Sequence, residues 1–192
     1  MNPEPRNIPA GMRGAAGLAT NLLRSTVNRD PEFMREVFIT HIRPLLEYCS
    51  CLWNTGFSCD LKILESVQRR WTREIFGLGE LSYEQRLKSL NLFSVRGRLV
   101  RADLITTWKI FNGKCAIKLQ DLFSPPTLAS TRGHRYKIAH VRSRLLLRQR
   151  SFAIRVIPLW NSLPDDVVGV DSLDLFKARL FDVLGDVLFS VD

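Results

Sequence analysis

The sequence lacks the features that mark a membrane protein or a secreted disulfide scaffold. No apolar run approaches the roughly 18 residues that a membrane-spanning helix needs, so we expect no membrane partner. The four cysteines, Cys49, Cys51, Cys59 and Cys115, do not show the repeated short spacing of a disulfide framework. This favours a reducing, intracellular compartment and does not distinguish nucleus from cytoplasm.

Sequence signatures of catalysis and of metal binding are also missing. There is no Gly-rich phosphate loop with a lysine and no Gly-x-Gly-x-x-Gly string. Cys49, Cys51 and His41 lack the paired short spacing of a zinc site, and we expect Cys49 to be a buried thiol on a helix face. His134 and His140 are expected on the polar surface. We therefore predict that the chain is not an enzyme and has no catalytic residues, metal site or cofactor.

Acidic residues are absent from one long stretch and concentrated in the next. Residues 131–160 contain eight basic residues and no acidic one, whereas residues 161–192 have a net charge of −5. The dense acidic group, Asp165, Asp166, Asp171 and Asp174, is interpreted as negative charge that precedes and caps the last helix rather than as a magnesium site. Two interpretations of the basic stretch stay open. It forms an anion-binding face, or the acidic tail neutralises it internally.

Arginine is what the sequence has in excess, since 28 Lys and Arg against 19 Asp and Glu give a net charge of +9. The guanidinium group is planar, always charged and suited to phosphate. We predict RNA, DNA or both as partners, bound at the phosphate backbone. The candidate contacts are Arg69, Arg70, Arg73, Arg132, Arg135, Lys137, Arg142, Arg144, Arg148, Arg150 and Arg155.

Helical periodicity dominates the chain up to Gly113. Prolines and glycines predict a disordered leader over residues 1–17, with order beginning near Leu18. Asp30 and Pro31 then predict the start of a helix that continues past Pro44.

A third helix is expected to begin at Asp60, to bury Trp71 and to stop at Gly77. A capping box at Ser82 opens the next helix, and a further helix ends at Gly113.

The pattern changes after residue 113. Residues 114–133 are predicted to be a linker loop, because Pro125 and Pro126 break any helix. Residues 137–142 alternate basic and apolar side chains, which suggests a β-hairpin with residues 144–150 as its second strand. Two helices then follow in the basic module of residues 134–192, the last of them acidic. The predicted fold is therefore mainly α, with a helical bundle over residues 18–113.

Several strings, in a fixed order, resemble the region after the polymerase palm in reverse transcriptases of LINE-type, non-LTR retrotransposons. They lie at residues 41–48 (HIRPLLEY), 53–54 (WN), 64–70 (LESVQRR), 81–83 (LSY), 92–94 (LFS), 101–104 (RADL), 131–134 (TRGH), 160–164 (WNSLP) and 176–177 (FK). Their collinear order carries the resemblance, which covers about residues 18 to 189. No one of these short strings would be specific alone.

The resemblance implies a helical thumb followed by the C-terminal segment of a retroelement polyprotein. It implies binding of template and primer phosphates, with Arg69, Arg70, Arg132 and Arg155 as the residues that match the family strings. The Tyr-x-Asp-Asp motif of the family's palm is absent, and the one Asp-Asp pair, Asp165-Asp166, follows a proline. A polymerase palm domain of a longer polyprotein is a second expected partner. The alternative is a non-catalytic structural or protein-interaction remnant whose basic face is neutralised internally.

Overall fold

The computed structural model describes residues 10–54, 56–124 and 134–191, and the protein is mainly α-helical, as predicted. The described residues form two compact units. The first runs up to Arg98 and includes the residues after Gly185, and the second runs from Leu99 to Gly185. The division falls inside a helix and not in the segment 114–133, where the sequence predicted a linker. Trp108 and Phe123 are both buried in the core of the second unit, which explains the difference.

The helices of the first unit are α1 (Ala10–Ser25), α2 (Pro31–Val37), a π-helical turn (Phe38–Ile42), α3 (Arg43–Glu47), α4 (Ser50–Trp53), α5 (Ser58–Arg73), α6 (Tyr83–Ser89) and the start of α7 (Val95–Phe111). The second unit contains the rest of α7, then α8 (Leu119–Leu122), α9 (Leu146–Gln149), α10 (Phe152–Ser162), α11 (Asp165–Val168) and α12 (Leu173–Leu184). A 3₁₀ turn (Gly185–Leu188) follows, and its residues 186–188 belong to the first unit.

Helix α1 begins at Ala10, eight residues before the predicted start at Leu18. The expectation of a disordered leader is therefore wrong for residues 10–17, and residues 1–9 lie outside the described part of the chain. Glycine costs a helix only about 1 kcal/mol, whereas proline costs about 3 kcal/mol, and all the leader's prolines precede Ala10. Burial of Ala15 and Ala19 stabilises this helix in the first unit.

Local start signals of the first unit are confirmed. The Asp30 carboxylate accepts hydrogen bonds from the backbone N–H groups of Glu32 and Phe33 at 3.0 and 3.2 Å, with Pro31 in the first turn. The Ser82 capping box is present, with both reciprocal hydrogen bonds to Gln85. Such signals are predictable because each depends on residues that lie within four positions of one another.

The helical path also continues past Pro44, as predicted, through the π-helical turn of residues 38–42. Proline has no backbone N–H to donate to the preceding turn of a helix. The π-helical turn just before Pro44 has hydrogen bonds between residues five apart instead of four, so the hydrogen-bond register shifts there. Helix α5 begins at Ser58, two residues before the predicted cap Asp60, and Trp71 is fully buried in it.

Three large aromatic side chains form the centre of the second unit's core. Trp108 and Trp160 are fully buried, and Phe176 of α12 stacks on Trp108 with ring centroids 5.6 Å apart. Phe111 stacks on Trp160 at 5.0 Å. Because α12 supplies Phe176 and Leu180 to this core, the acidic tail is a structural part of the unit.

The predicted β-hairpin over residues 137–150 is wrong, since the described residues contain no strand. Residues 137–143 have no regular secondary structure, residues 144 and 145 form a bend, and most of the second half of the expected hairpin forms α9. The side chain of Asn161 replaces a neighbouring strand, because it accepts from the Ile138 N–H and donates to the Ile138 carbonyl, both at 2.9 Å. A further bond joins the Ala139 N–H to the Ser124 carbonyl at 3.0 Å.

Gly97 permits a close approach between α7 and the end of the chain within the first unit. A Cβ at this position would lie 2.4 Å from the Leu188 carbonyl oxygen, and the same oxygen accepts hydrogen bonds from the Ser94 N–H and hydroxyl. We predict that Gly97→Ala lowers the free energy of unfolding by about 1–3 kcal/mol because backbone must move. Urea denaturation followed by circular dichroism measures the change.

Gly17 in α1 is the matched control, because a Cβ there meets no atom within 4 Å. Gly17→Ala is expected to raise the free energy of unfolding by about 0.5–1 kcal/mol, the ordinary gain of alanine over glycine in a helix. Equal effects of the two substitutions would contradict the contact with Leu188.

Candidate nucleic-acid interface

The second unit carries a groove of about 780 Å³, formed by residues 140–144, by Gln149 and by α10. Val141, Ile154 and Pro158 give it an apolar lining, and Arg142 and Arg144 lie along the same groove. Its position follows from the Asn161 hydrogen bonds, which hold the irregular segment of residues 137–143 in place beside α10.

Three arginines of this region are open to an external anion. Arg142, Arg144 and Arg148 are exposed, and within the described part of the chain none of the three has a carboxylate within 4.0 Å. They lie within a span of seven residues, so their charges act on the same small region of solvent. A guanidinium in this condition binds phosphate without first breaking an internal ion pair.

The remaining basic residues of the stretch have different surroundings. Arg135 is exposed and lies over the ring of its neighbour Tyr136, 4.8 Å from the centroid, where it also donates to the Tyr136 hydroxyl at 2.7 Å. Arg150 is exposed and Lys137 is half-buried. Arg132 lies outside the described residues.

Arg155 is not available for phosphate, which corrects the sequence prediction. Its Nε and Nη2 donate to the two carboxylate oxygens of Asp103 at 2.8 and 2.9 Å, and Nη1 donates to the Arg150 carbonyl at 3.0 Å. Both side chains of the pair are largely buried. Burial raises the pKa of Asp103, and the Arg155 hydrogen bonds and charge oppose that shift. The pair is a structural element beside the groove, formed by residues 52 positions apart in the sequence.

The second predicted basic group lies on α5 in the first unit. Arg69, Arg70 and Arg73 are all exposed. Arg69 lies over the ring of Tyr83, 4.6 Å from the centroid, and Arg70 donates to the Thr20 hydroxyl at 3.3 Å. These contacts orient two of the guanidinium groups. Neither has a carboxylate within 4.0 Å in the described residues, although the charge of Arg69 opposes the raised pKa of Glu65.

A groove of about 400 Å³ on the first unit brings together two cations that the sequence analysis missed. Lys62 and Arg96 line it together with Arg69, and the buried Glu65 also lines it. Lys62 and Arg69 are seven residues apart and therefore share one face of α5, which is a signal that the sequence carries. No nearby sequence pattern indicates that Arg96 lines this groove, because Arg96 belongs to a different helix, α7.

Two other sequence predictions are corrected. Cys49 is exposed and has a left-handed backbone conformation, with φ at +51°, because α3 ends at Glu47 and the chain turns there. His134 is buried, and its Nε2 lies 3.0 Å from the Trp160 carbonyl oxygen. A histidine beside basic residues is expected in solvent, but this ring lies edge-on to Trp160.

The sequence analysis placed the acidic group at the N-terminus of the last helix, and the structure agrees for Asp174 but not for Asp165 and Asp166. Asp165 and Asp166 occupy the first turn of α11, and Asp174 occupies the first turn of α12, where it pairs with Lys177 at 2.9 Å. Across residues 10–54, 56–124 and 134–191 there is no group of three or more His, Cys, Asp or Glu side chains arranged to hold a metal ion.

No protein-family model, curated protein or solved structure shows a significant match to this chain. Among the residues that the structure describes, no helix is long and apolar enough to span a membrane.

Proposed function

We propose that this protein binds RNA or DNA through the phosphate backbone and has no catalytic activity of its own. The role we propose is that of an accessory module like the thumb and C-terminal region of a LINE-type, non-LTR retrotransposon reverse transcriptase. One observation carries the proposal. Arg142, Arg144 and Arg148 are exposed together beside a groove, without a carboxylate partner in the described residues.

The groove's composition supports a nucleic-acid strand as the ligand. Phosphates would meet the guanidinium groups, while sugars and bases would contact the apolar lining from Val141, Ile154 and Pro158. Among the described residues that line the groove there is no Phe, Tyr or Trp, and His140 supplies the one aromatic ring, so base stacking is expected to contribute little and sequence preference to be weak.

The alternative, a protein-interaction remnant with an internally neutralised basic face, has one observation in its favour. Asp103 already neutralises Arg155. That carboxylate comes from α7 and not from the acidic tail, and it leaves Arg142, Arg144 and Arg148 without a carboxylate neighbour. Because three exposed arginines have no carboxylate partner in the described residues and only one is paired, these contacts favour an external polyanion as the ligand.

Removing the three charges is expected to weaken binding and its salt dependence together. The triple variant Arg142→Gln, Arg144→Gln, Arg148→Gln should bind single-stranded RNA about tenfold or more weakly at low salt. The slope of log affinity against log salt should fall by about 2, at about 0.7 per lost phosphate contact on a single strand. Fluorescence anisotropy with labelled single-stranded RNA, single-stranded DNA and an RNA–DNA hybrid at 50, 100 and 200 mM salt measures both quantities.

A matched control removes three exposed positive charges elsewhere, with Arg24→Gln, Lys114→Gln and Lys118→Gln. If net charge alone governs binding, the two triple variants lose affinity equally, and the groove has no special role. Absence of binding by the unmodified protein to all three nucleic acids at 50 mM salt would end the proposal.

A further inference from the structure

The groove of about 400 Å³ on the first unit has no part in the proposed function, and its lining is basic. Lys62, Arg69 and Arg96 all line it and are all exposed. Within the described part of the chain, no carboxylate lies within 4.0 Å of any of these three cations. They are therefore able to bind an anion without first breaking an ion pair.

Glu65 is the one acidic side chain among the described residues that line this groove, and its oxygens are already occupied. The side chain is 4% exposed, and its carboxylate accepts the Tyr83 hydroxyl and the backbone N–H groups of Val95 and Arg96. Glu65 therefore occupies the N-terminus of α7, so a ligand of the groove has to be held by side chains. Even with Glu65 ionised, the groove keeps a net charge of +2.

Two helices bring the cations to the groove. Lys62 and Arg69 are two turns apart on one face of α5, and Arg96 belongs to the first turn of α7. The Arg69 guanidinium lies over the ring of Tyr83, 4.6 Å from the centroid, and the Tyr83 hydroxyl is held by the buried carboxylate of Glu65. A donor that is oriented before binding loses less conformational entropy when the ligand arrives.

The density of positive charge indicates the class of ligand. Each phosphodiester of a polynucleotide carries one negative charge, and the sugars space these charges along the chain. A terminal phosphate carries about two negative charges at neutral pH, and each further phosphate of a di- or triphosphate adds about one. Three cations in a groove of about 400 Å³ therefore match a compact polyphosphate better than a single phosphodiester. No aromatic side chain is among the described residues of the lining, so the groove has no ring that would stack on a base.

We propose that this groove is a second anion site, which binds a di- or triphosphate group through the side chains of Lys62, Arg69 and Arg96. The exposed hydroxyl of Ser58, at the start of α5, adds a neutral donor. A free nucleotide and the 5′ end of an RNA both carry this group. The proposal does not rest on the proposed function, because all these residues belong to the first unit and none lines the groove of the second.

Calorimetric titration with inorganic tripolyphosphate in 50 mM salt, without divalent cations, tests the site. The protein is the full chain, nuclease-treated, with Arg142→Gln, Arg144→Gln and Arg148→Gln, so that these three arginines of the second unit do not contribute. We expect this protein to bind tripolyphosphate with a Kd below about 100 µM. Inorganic phosphate should bind at least about tenfold more weakly, because it carries fewer charges.

Two pairs of substitutions, each added to that protein, separate the groove from net charge. Lys62→Gln with Arg96→Gln removes two cations of the groove and leaves Arg69 in place, so affinity for tripolyphosphate should fall at least about tenfold. The control, Arg24→Gln with Arg70→Gln, removes the same charge from exposed positions of the same unit that do not line the groove. It should lose less than about threefold, because salt screens charges outside the site. Circular dichroism checks that both variants keep the fold.

Competition against tripolyphosphate distinguishes the two sources of the group. The competitors are adenosine triphosphate and two RNAs of one sequence, with a 5′-triphosphate or a 5′-hydroxyl end. Displacement by adenosine triphosphate supports a free nucleotide as the ligand. Stronger displacement by the triphosphate-ended RNA than by the hydroxyl-ended RNA supports an RNA end.

Three results would overturn the proposal. They are no binding of tripolyphosphate up to about 1 mM, equal affinities of the groove variant and the control variant, and displacement of tripolyphosphate by the hydroxyl-ended RNA as strong as that by the triphosphate-ended RNA. Because Arg142, Arg144 and Arg148 are replaced in every protein of this experiment, these results leave the proposed function to its own test.

Discussion

Asp103→Ala is expected to lower the free energy of unfolding of the second unit by about 3–5 kcal/mol. Asp103 is 3% exposed and holds Arg155 through two hydrogen bonds. Its removal leaves a largely buried guanidinium without its counter-charge, and the cost of that unpaired charge dominates the effect. Urea denaturation followed by circular dichroism measures the loss.

Two further variants separate the unpaired charge from the loss of packing. The double variant Asp103→Leu, Arg155→Met removes both charges and is expected to recover most of the stability, because an apolar pair of similar volume needs no counter-charge. Asp174→Ala breaks an exposed pair with Lys177 and should leave the denaturation midpoint unchanged. A loss below about 1 kcal/mol for Asp103→Ala would contradict the buried pair.

Glu65→Ala is expected to destabilise the first unit by about 3 kcal/mol or more. The Glu65 carboxylate is 4% exposed, accepts the Tyr83 hydroxyl, and accepts the backbone N–H groups of Val95 and Arg96 at 3.0 and 3.4 Å. Glu65 lies on α5, so its carboxylate caps the N-terminus of α7 from a different helix. Each buried donor left unpaired costs about 1–3 kcal/mol, and alanine leaves at least two.

The Tyr83→Phe variant removes one donor and keeps the cap, so its loss should be smaller, about 1 kcal/mol. Burial, followed by the charge of Glu65, raises the pKa of the Tyr83 hydroxyl, which therefore stays a donor at neutral pH. Urea denaturation compares the two variants. Equal losses from Glu65→Ala and Tyr83→Phe would show that the bonds to α7 contribute nothing.

The pH dependence of stability provides a separate test of Glu65. Burial raises the pKa of this carboxyl above its usual value. A raised pKa in the folded state stabilises the fold fully below the unfolded pKa of about 4.3, and that stabilisation is lost as the pH rises through the folded pKa. Glu65→Gln cannot ionise, so its stability should improve relative to the wild type as the pH rises above about 4. A constant difference between pH 4 and 8 would contradict the raised pKa.

Sequence reasoning located the arginines but did not show which of them form an ion pair with a carboxylate. Arg144 and Arg155 occur in the same acid-free stretch and have the same chemistry. The partner of Arg155 is Asp103, 52 positions away, and nothing near either residue indicates the pairing. His134 shows the same limitation, because its burial depends on Trp160, which lies 26 positions further along the chain.

The sequence by itself determined the helical class, the caps at Asp30 and Ser82, and the burial of Trp71, because these follow from residues within about one turn of one another. Only the tertiary structure decided which arginines keep an unpaired charge and that an asparagine side chain would replace the predicted second strand. Those outcomes depend on free energies of burial and pairing between distant segments, and such energies exist only once the chain has brought the segments together.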